Sequence, residues 1–295
     1  MIVAGVNGGG TDTEAICCDA SGRIVGRGSA GPSNYQNVGL DRAMEAISDA
    51  LLDAGFPKPD ILCVALAAIN SEEDFKLLNR RLQSEHHGAI LEHDAFAELY
   101  TKSRGGPGVL AISGTGSVIL GYDGARRHRR ADMGWFLGDE CSGYSIGKQG
   151  MMAAARMVFE DGPKTLLGAE IARHLKLKDP KDIMAWAYSR SNTVASVAAL
   201  ARAVDVAASS GDAIAISIMR KTSSRLAAQA AKMALRLGLK RVYTKGGVFR
   251  SRLFSSNFAR VLARKGLKAV QIKESAAMGS LLIAADKAGV RLHKS

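Results

Sequence analysis

The feature that most constrains this chain is a repetition. Residues 2–6 read as a strand, Gly8-Gly9-Gly10-Thr11 as a glycine-rich turn, and residues 14–18 as a second strand. About a hundred residues later the order returns: a strand over 108–112, the small-residue turn Ser113-Gly114-Thr115-Gly116-Ser117, and a strand over 118–122. Short apolar runs bounded by glycine and polar turns mark hairpins, so two similar hairpins carry glycine and threonine at their tips. A strand over 23–28, set off by Asp19-Ala20-Ser21-Gly22, extends the first into an antiparallel meander. Neither turn ends in the Gly-Lys-Ser/Thr of a P-loop or keeps the Gly-x-Gly-x-x-Gly spacing of a dinucleotide fold. Glycine lets backbone N–H groups approach an anion closely, and a threonine hydroxyl adds a donor. Either turn alone reads as an ordinary tight hairpin; the two together are equipped to grip one polyphosphate from both sides.

Between and after the hairpins the period changes from strand to helix. Apolar positions Leu40, Met44, Ile47, Leu51 and Leu52 recur at helical spacing and stop at Gly55-Phe56-Pro57. A buried strand over 61–67, a helix over 72–83, a strand over 89–92 and a helix over 95–103 complete the first half. After the second hairpin the pattern predicts helices over 143–158, 166–174, 182–189, 194–208 and 213–237. A strand over 241–244 then meets Gly246-Gly247, and a helix over 276–288 closes the chain. No low-complexity linker interrupts the sequence. The division is therefore set at residues 1–105 and 106–274, with a C-terminal helix, about 275–295, able to return to the first domain.

Composition narrows the function classes. The 295 residues are 47% hydrophobic and 23% charged, which excludes wholesale disorder and fibrous repeats. No apolar run reaches the roughly 18–20 residues of a membrane span, and the first residues lack a basic leader, so the expected location is the cytoplasm and no membrane partner is expected. Cys17, Cys18, Cys63 and Cys141 form no metal-ligand spacing and read as buried reduced thiols. The formal charge of +12 is lopsided: residues 1–150 hold 14 Lys and Arg against 19 Asp and Glu, residues 151–295 hold 26 against 9. Such a basic half suits nucleic acid, a membrane surface or an anionic small ligand. No nucleic-acid fold signature accompanies it, and Phe249, Phe254 and Phe258 read as core residues, so no nucleic-acid partner is expected.

A family resemblance emerges from the motifs in order. Gly5-Val6-Asn7-Gly8-Gly9-Gly10-Thr11, Ser33-Asn34, Asp94-Ala95, residues 112–117, Gly138-Asp139-Glu140, Gly246-Gly247 and Met278-Gly279 together resemble the BadF/BadG/BcrA/BcrD ATPase and N-acetylglucosamine kinase branch of the actin, hexokinase and Hsp70 superfamily. The resemblance spans nearly the whole chain. It implies an α/β protein of two RNase H-like domains with an interdomain nucleotide cleft, ATP and Mg²⁺ as cofactors, and phosphoryl transfer to a hydroxyl of a small sugar or sugar acid. A homodimer is in keeping with it.

Roles carry over by position. Gly9, Gly10 and Thr11 look like the first phosphate loop, and Gly114, Thr115 and Gly116 like the second. Gly246 and Gly247 look like the adenosine-side turn, and Gly211 is a further candidate for that wall. Asp94 stands at the position of the catalytic carboxylate, which would accept the acceptor hydroxyl's proton; by itself such an aspartate is also a helix cap. Asn34, Ser117, Gly134 and Asp139 match substrate-side positions. Asn7 stands where many relatives have an acidic residue that helps hold Mg²⁺ through water; an amide can still bond a metal-bound water.

Two departures shape the substrate expectation. Ala131-Asp132-Met133-Gly134-Trp135 replaces the Gly-Gly-Trp-Gly of the family's sugar kinases, and Arg126-Arg127-His128-Arg129-Arg130 precedes it. Guanidinium groups bind carboxylates well, so a sugar acid, 2-keto-3-deoxygluconate, is the specific expectation. An N-acetylglucosamine or glucosamine kinase, or a broad hexokinase, is the alternative. A BadF-type activator ATPase would need cluster-ligating cysteines, and Cys141 is a lone thiol; a non-catalytic nucleotide sensor is the remaining class.

Overall fold

A computed structural model describes residues 1–67, 69–131 and 133–293, so Asp132 of the substituted segment and Lys294 and Ser295 lie outside the described residues. The chain divides into two units, Met1–Gly106 with Ile272–Ser295, and Pro107–Gln271. Among the described residues no helix is long and apolar enough to cross a membrane.

In unit 1, β1 (Ile2–Gly8), β2 (Thr13–Asp19) and β3 (Ile24–Ala30) pair antiparallel. Helices α1 (Tyr35–Val38) and α2 (Leu40–Asp53) come next; β4 (Ile61–Leu66) then pairs parallel to β1. After α3 (Glu72–Glu85), β5 (Ile90–His93) pairs parallel to β4 and leads into α4 (Asp94–Ser103), giving the sheet order β3-β2-β1-β4-β5. Side chains of a strand alternate between faces, and β1 uses both: Ala4 and Val6 pack with Met44, Ile47 and Leu51 of α2, while Val3 joins the opposite core. Ser71 caps α3 with a reciprocal Asp74 bond, which satisfies two N–H groups that a helix start leaves open.

Unit 2 repeats the sheet. β6 (Gly108–Ser113), β7 (Ser117–Tyr122) and β8 (Arg127–Ala131) form the meander, and β9 (Arg241–Lys245) and β10 (Lys268–Gln271) add in parallel, in the order β10-β9-β6-β7-β8. Its helices are α5 (Gly134–Leu137), α6 (Gly143–Phe159), α7 (Leu167–Leu175), α8 (Ile183–Ala187), α9 (Val194–Ala199), α10 (Ala201–Ser209), α11 (Ala213–Arg236) and α12 (Arg252–Ala263). Val109, Ala111 and Ile119 of the sheet share a core with Leu226, Ala227 and Ala230 of α11. Phe249, Phe254 and Phe258 are buried there, their rings meeting edge to face. All four cysteines are buried and free; burial raises each thiol pKa, to about 11 for Cys17 and Cys18 and about 12 for Cys141.

The last helix, α13 (Ala276–Ala288), belongs to unit 1 and packs on β1 and α4. The approach is so close that a Cβ on Gly5 would stand 2.0 Å from Leu281 N, and one on Gly279 1.8 Å from Ala97 O.

Several elements differ from the sequence expectation. The basic run 126–130, for which no strand was expected, supplies most of the outer edge strand β8; charge on a sheet edge discourages pairing with another chain. The single helix expected over 194–208 is two, meeting at Leu200. Helix α12 and strand β10 had no counterpart in the expectation.

Candidate functional site

In unit 1, the parallel register places Gly8, Leu66 and His93 in one row at the carboxyl ends of β1, β4 and β5. Ligands of open α/β sheets bind at such ends. Beyond Gly8, the turn is closed by Gly9 N–H donating to Asp12 O at 2.9 Å, and Gly9 O accepts from Ser33 N and Asn34 N. Among the described residues the N–H groups of Gly10 and Thr11 make no hydrogen bond, and the Thr11 hydroxyl donates to Asp12 Oδ1 at 2.9 Å. Thr13 Oγ1, fully buried, meets Gly31 O and Ser33 Oγ and pins the 31–34 segment to the turn. Asn34 caps α1, its Oδ1 accepting from Gln36 N at 3.1 Å, so the group it retains for a ligand is the Nδ2 amide.

Two further groups occupy the same edge. The buried Oδ1 of Asn7, one residue before the end of β1, has no hydrogen-bond partner among the described residues; leaving such a carbonyl unpaired costs about 1–3 kcal/mol. Asp94 comes after His93 as the first residue of α4, and its Oδ1 accepts from Ala95 N at 2.6 Å. The carboxylate thus sits at a helix start, where the backbone dipole favours negative charge.

Unit 2 presents the equivalent edge. Gly114 N–H donates to Gly116 O at 2.9 Å, closing the β6–β7 turn, while Gly143 N and Tyr144 N at the start of α6 donate to Gly114 O and Thr115 O. Those bonds occupy the turn's carbonyls; the N–H groups of Thr115 and Gly116 make no hydrogen bond among the described residues. Gly246, at φ +106, comes directly after β9, and a Cβ there would lie 2.2 Å from Ser113 O, so glycine is required where the two loops meet. Asp139, left-handed at φ 54 and buried, receives Ser117 N at 3.2 Å; burial raises its carboxyl above the usual range. Ser117 Oγ beside it is buried and has no hydrogen-bond partner among the described residues. Gly134, at φ +72, begins the short exposed α5 that leads to this aspartate.

A cavity of about 520 Å³ opens beside the turn, lined by Gly114, Thr115, Gly143, Gly247 and residues of α9 and α10. Its volume is within the range of small-ligand sites, roughly 300–1,000 Å³. Gly211 is not in that lining: it precedes Asp212, whose carboxylate holds Thr165 Oγ1, Leu166 N and Ala215 N at the head of α11. Sequence reasoning missed Asp205 and Ser251 in the lining. Ser251 carried one local signal, a hydroxyl residue three positions before the first phenylalanine of an apolar helix.

The basic run is spread along β8: register pairs Arg127 with Tyr122, roughly 16 Å from Ser117 at about 3.3 Å per residue, and Arg130 with Ile119, roughly 7 Å from it. His128 bonds Asp123 at 2.8 Å within the hairpin.

The two sheets of one topology have the fold seen in solved sugar-kinase structures. Residues 4–284 match the BadF/BadG/BcrA/BcrD ATPase family, and the chain belongs to it. It is 26% identical to an N-acetylmuramic acid/N-acetylglucosamine kinase of Clostridium acetobutylicum, over 96% of this chain and 97% of that protein. It is 28% identical to an N-acetyl-D-glucosamine kinase of Dictyostelium discoideum, over 86% and 88% respectively. Among solved structures it matches a Chromobacterium violaceum protein provisionally assigned as an N-acetylglucosamine kinase, with a TM-score of 0.78, 22% identity and coverage of 96% and 98%.

Proposed function

We propose that this protein is an ATP-dependent sugar kinase whose acceptor is a small amino sugar, N-acetylglucosamine or a close analogue. The observation that carries the reading is the edge of the unit 1 sheet, where unpaired turn N–H groups and the Asp94 carboxylate share one row of strand ends. Family membership and relatives that span nearly the whole chain support the kinase class. The relatives are named as amino-sugar kinases and not as kinases of 2-keto-3-deoxygluconate, so the amino-sugar alternative becomes the main reading.

In this mechanism Asp94 orients the acceptor hydroxyl and takes its proton as the new oxygen–phosphorus bond forms and the bond to ADP breaks. Asn34 Nδ2, Ser117 Oγ and the Asp139 carboxyl are the substrate-side hydrogen-bonding groups, with Gly134 providing the sharp backbone that precedes Asp139. The N–H groups of residues 10, 11, 115 and 116, with the hydroxyls of Thr11 and Thr115, bind phosphate oxygens. Gly246 and Gly247 flank the nucleoside, and Gly211 keeps only an indirect place behind α10. Among the described residues no three His, Cys, Asp or Glu side chains form a metal cluster. Protein sites commonly hold Mg²⁺ through substrate phosphates and waters, and the unpartnered Asn7 Oδ1 would accept from a metal-bound water. The ion would supply charge neutralisation of the phosphates.

The test is ADP release from ATP and Mg²⁺ with N-acetylglucosamine, glucosamine, glucose, 2-keto-3-deoxygluconate or no acceptor. Stimulation by an amino sugar is expected. Stimulation by the sugar acid alone would restore 2-keto-3-deoxygluconate as the substrate, and a rate indifferent to every acceptor would leave an ATPase.

A further inference from the structure

We propose that Asp205 reads the nucleoside of the phosphate donor, accepting a hydrogen bond from one of its O–H or N–H groups; the inference rests on the nucleotide-site reading above. Asp205 is the carboxylate among the residues lining the 520 Å³ cavity of unit 2. The cavity is chemically divided. Gly114 and Thr115 belong to the turn whose N–H groups suit phosphate, whereas Ala195, Ala198 and Ala199 of α9 offer methyl groups that suit the face of a flat ring. A carboxylate accepts hydrogen bonds and donates none, so Asp205 repels phosphate and selects a neutral donor. The ribose hydroxyls and the exocyclic amine of adenine are the donors a nucleoside brings.

The carboxylate is held in place. Ser251 Oγ donates to Asp205 Oδ1, and the same oxygen accepts from Phe254 N at 3.2 Å, which makes Ser251 the cap of α12. This short chain ties α10 to the start of α12 across the cavity wall, with Ser251 itself buried. Among the described residues Asp205 forms no ion pair, and Arg202 and Arg250 line the same space. A hydrogen bond to a charged acceptor is worth on the order of ten- to a hundred-fold in affinity.

Calorimetric titration of the full chain with ATP, 2′-deoxy-ATP, 3′-deoxy-ATP and ITP, in Mg²⁺, tests the assignment. Wild-type protein should bind at least one analogue about ten-fold more weakly than ATP. Asp205→Ala should bind ATP about as weakly as that analogue, erasing the discrimination, and Asp205→Asn, which keeps the shape, should reduce it by a smaller factor. Loss with a deoxy analogue assigns the ribose; loss with ITP assigns the purine amine. Equal weakening of all four ligands in Asp205→Ala, with an unchanged unfolding midpoint, would overturn the proposal, as would discrimination that survives the substitution. Failure of the wild type to bind ATP at all would instead overturn the nucleotide site itself.

Discussion

The two sheets share one strand order and differ in the residues at the ends of their parallel strands. In unit 1, β5 is followed by Asp94 at the head of α4; in unit 2, β9 is followed by Gly246-Gly247, and a cavity opens beside the β6–β7 turn. Each hairpin tip keeps two N–H groups unpaired, while carbonyls of the same turns are occupied by later segments of the chain. In the proposed reading the same scaffold serves two tasks: the carboxylate after the outer parallel strand of unit 1 serves the hydroxyl acceptor, and the glycine pair after the middle parallel strand of unit 2 serves the nucleoside.

The largest expected effect tests the acid side of this division. Asp94→Asn should lower kcat by about 10²–10⁴-fold, the contribution of general base catalysis, while ATP affinity measured by titration stays within about two-fold. Retention of most activity would show that the strand-end carboxylate is only a helix cap.

Next come the glycines that let α13 seat on unit 1. Gly279→Ala and Gly5→Ala each force a methyl against backbone at 1.8 and 2.0 Å, so denaturant unfolding should show losses at or above the roughly 1–3 kcal/mol of an overpacked core. Gly114→Ala in unit 2, where a Cβ meets nothing within 4 Å, should leave the midpoint unchanged. A smaller effect sharpens the link between the unit 2 turn and Asp139. A Cβ on Gly116 would stand 2.7 Å from Asp139 Oδ2. Gly116→Ala should therefore cost about 1 kcal/mol, with most of it recovered in the double variant with Asp139→Ala. Additive costs would mean the two do not touch in solution.

The smallest effect is a pH dependence. Burial raises the Asp139 pKa above its unfolded value, so the native state binds this proton more tightly. Its stabilising contribution is then complete below the unfolded pKa and lost as pH rises through the native one. Thermal midpoints of Asp139→Asn relative to wild type should rise as pH increases from below the unfolded carboxyl pKa to above the raised native one. A gap independent of pH would contradict a buried carboxyl here.

Both hairpins were legible because glycine and threonine clusters stood between apolar runs, and Asp94 was legible as an acid between a short strand and a helix. Strand β8 was not, since Arg126-Arg127-His128-Arg129-Arg130 has no apolar alternation; its pairing is set by the neighbouring β7. The break at Leu200 left no glycine or proline to announce it. Helix α12 was hidden because its phenylalanines were read for burial rather than spacing. The cavity wall was out of reach for a different reason: Asp205 and Ser251 are 46 residues apart, and only the packing of α10 against the start of α12 joins them.

The central claim is transfer of phosphate to a sugar, as distinct from hydrolysis. Phosphorus NMR of a reaction holding ATP, Mg²⁺ and N-acetylglucosamine tests it most directly. A new phosphomonoester signal growing in step with ADP is the predicted result, and growth of inorganic phosphate alone, with or without the sugar, would contradict it.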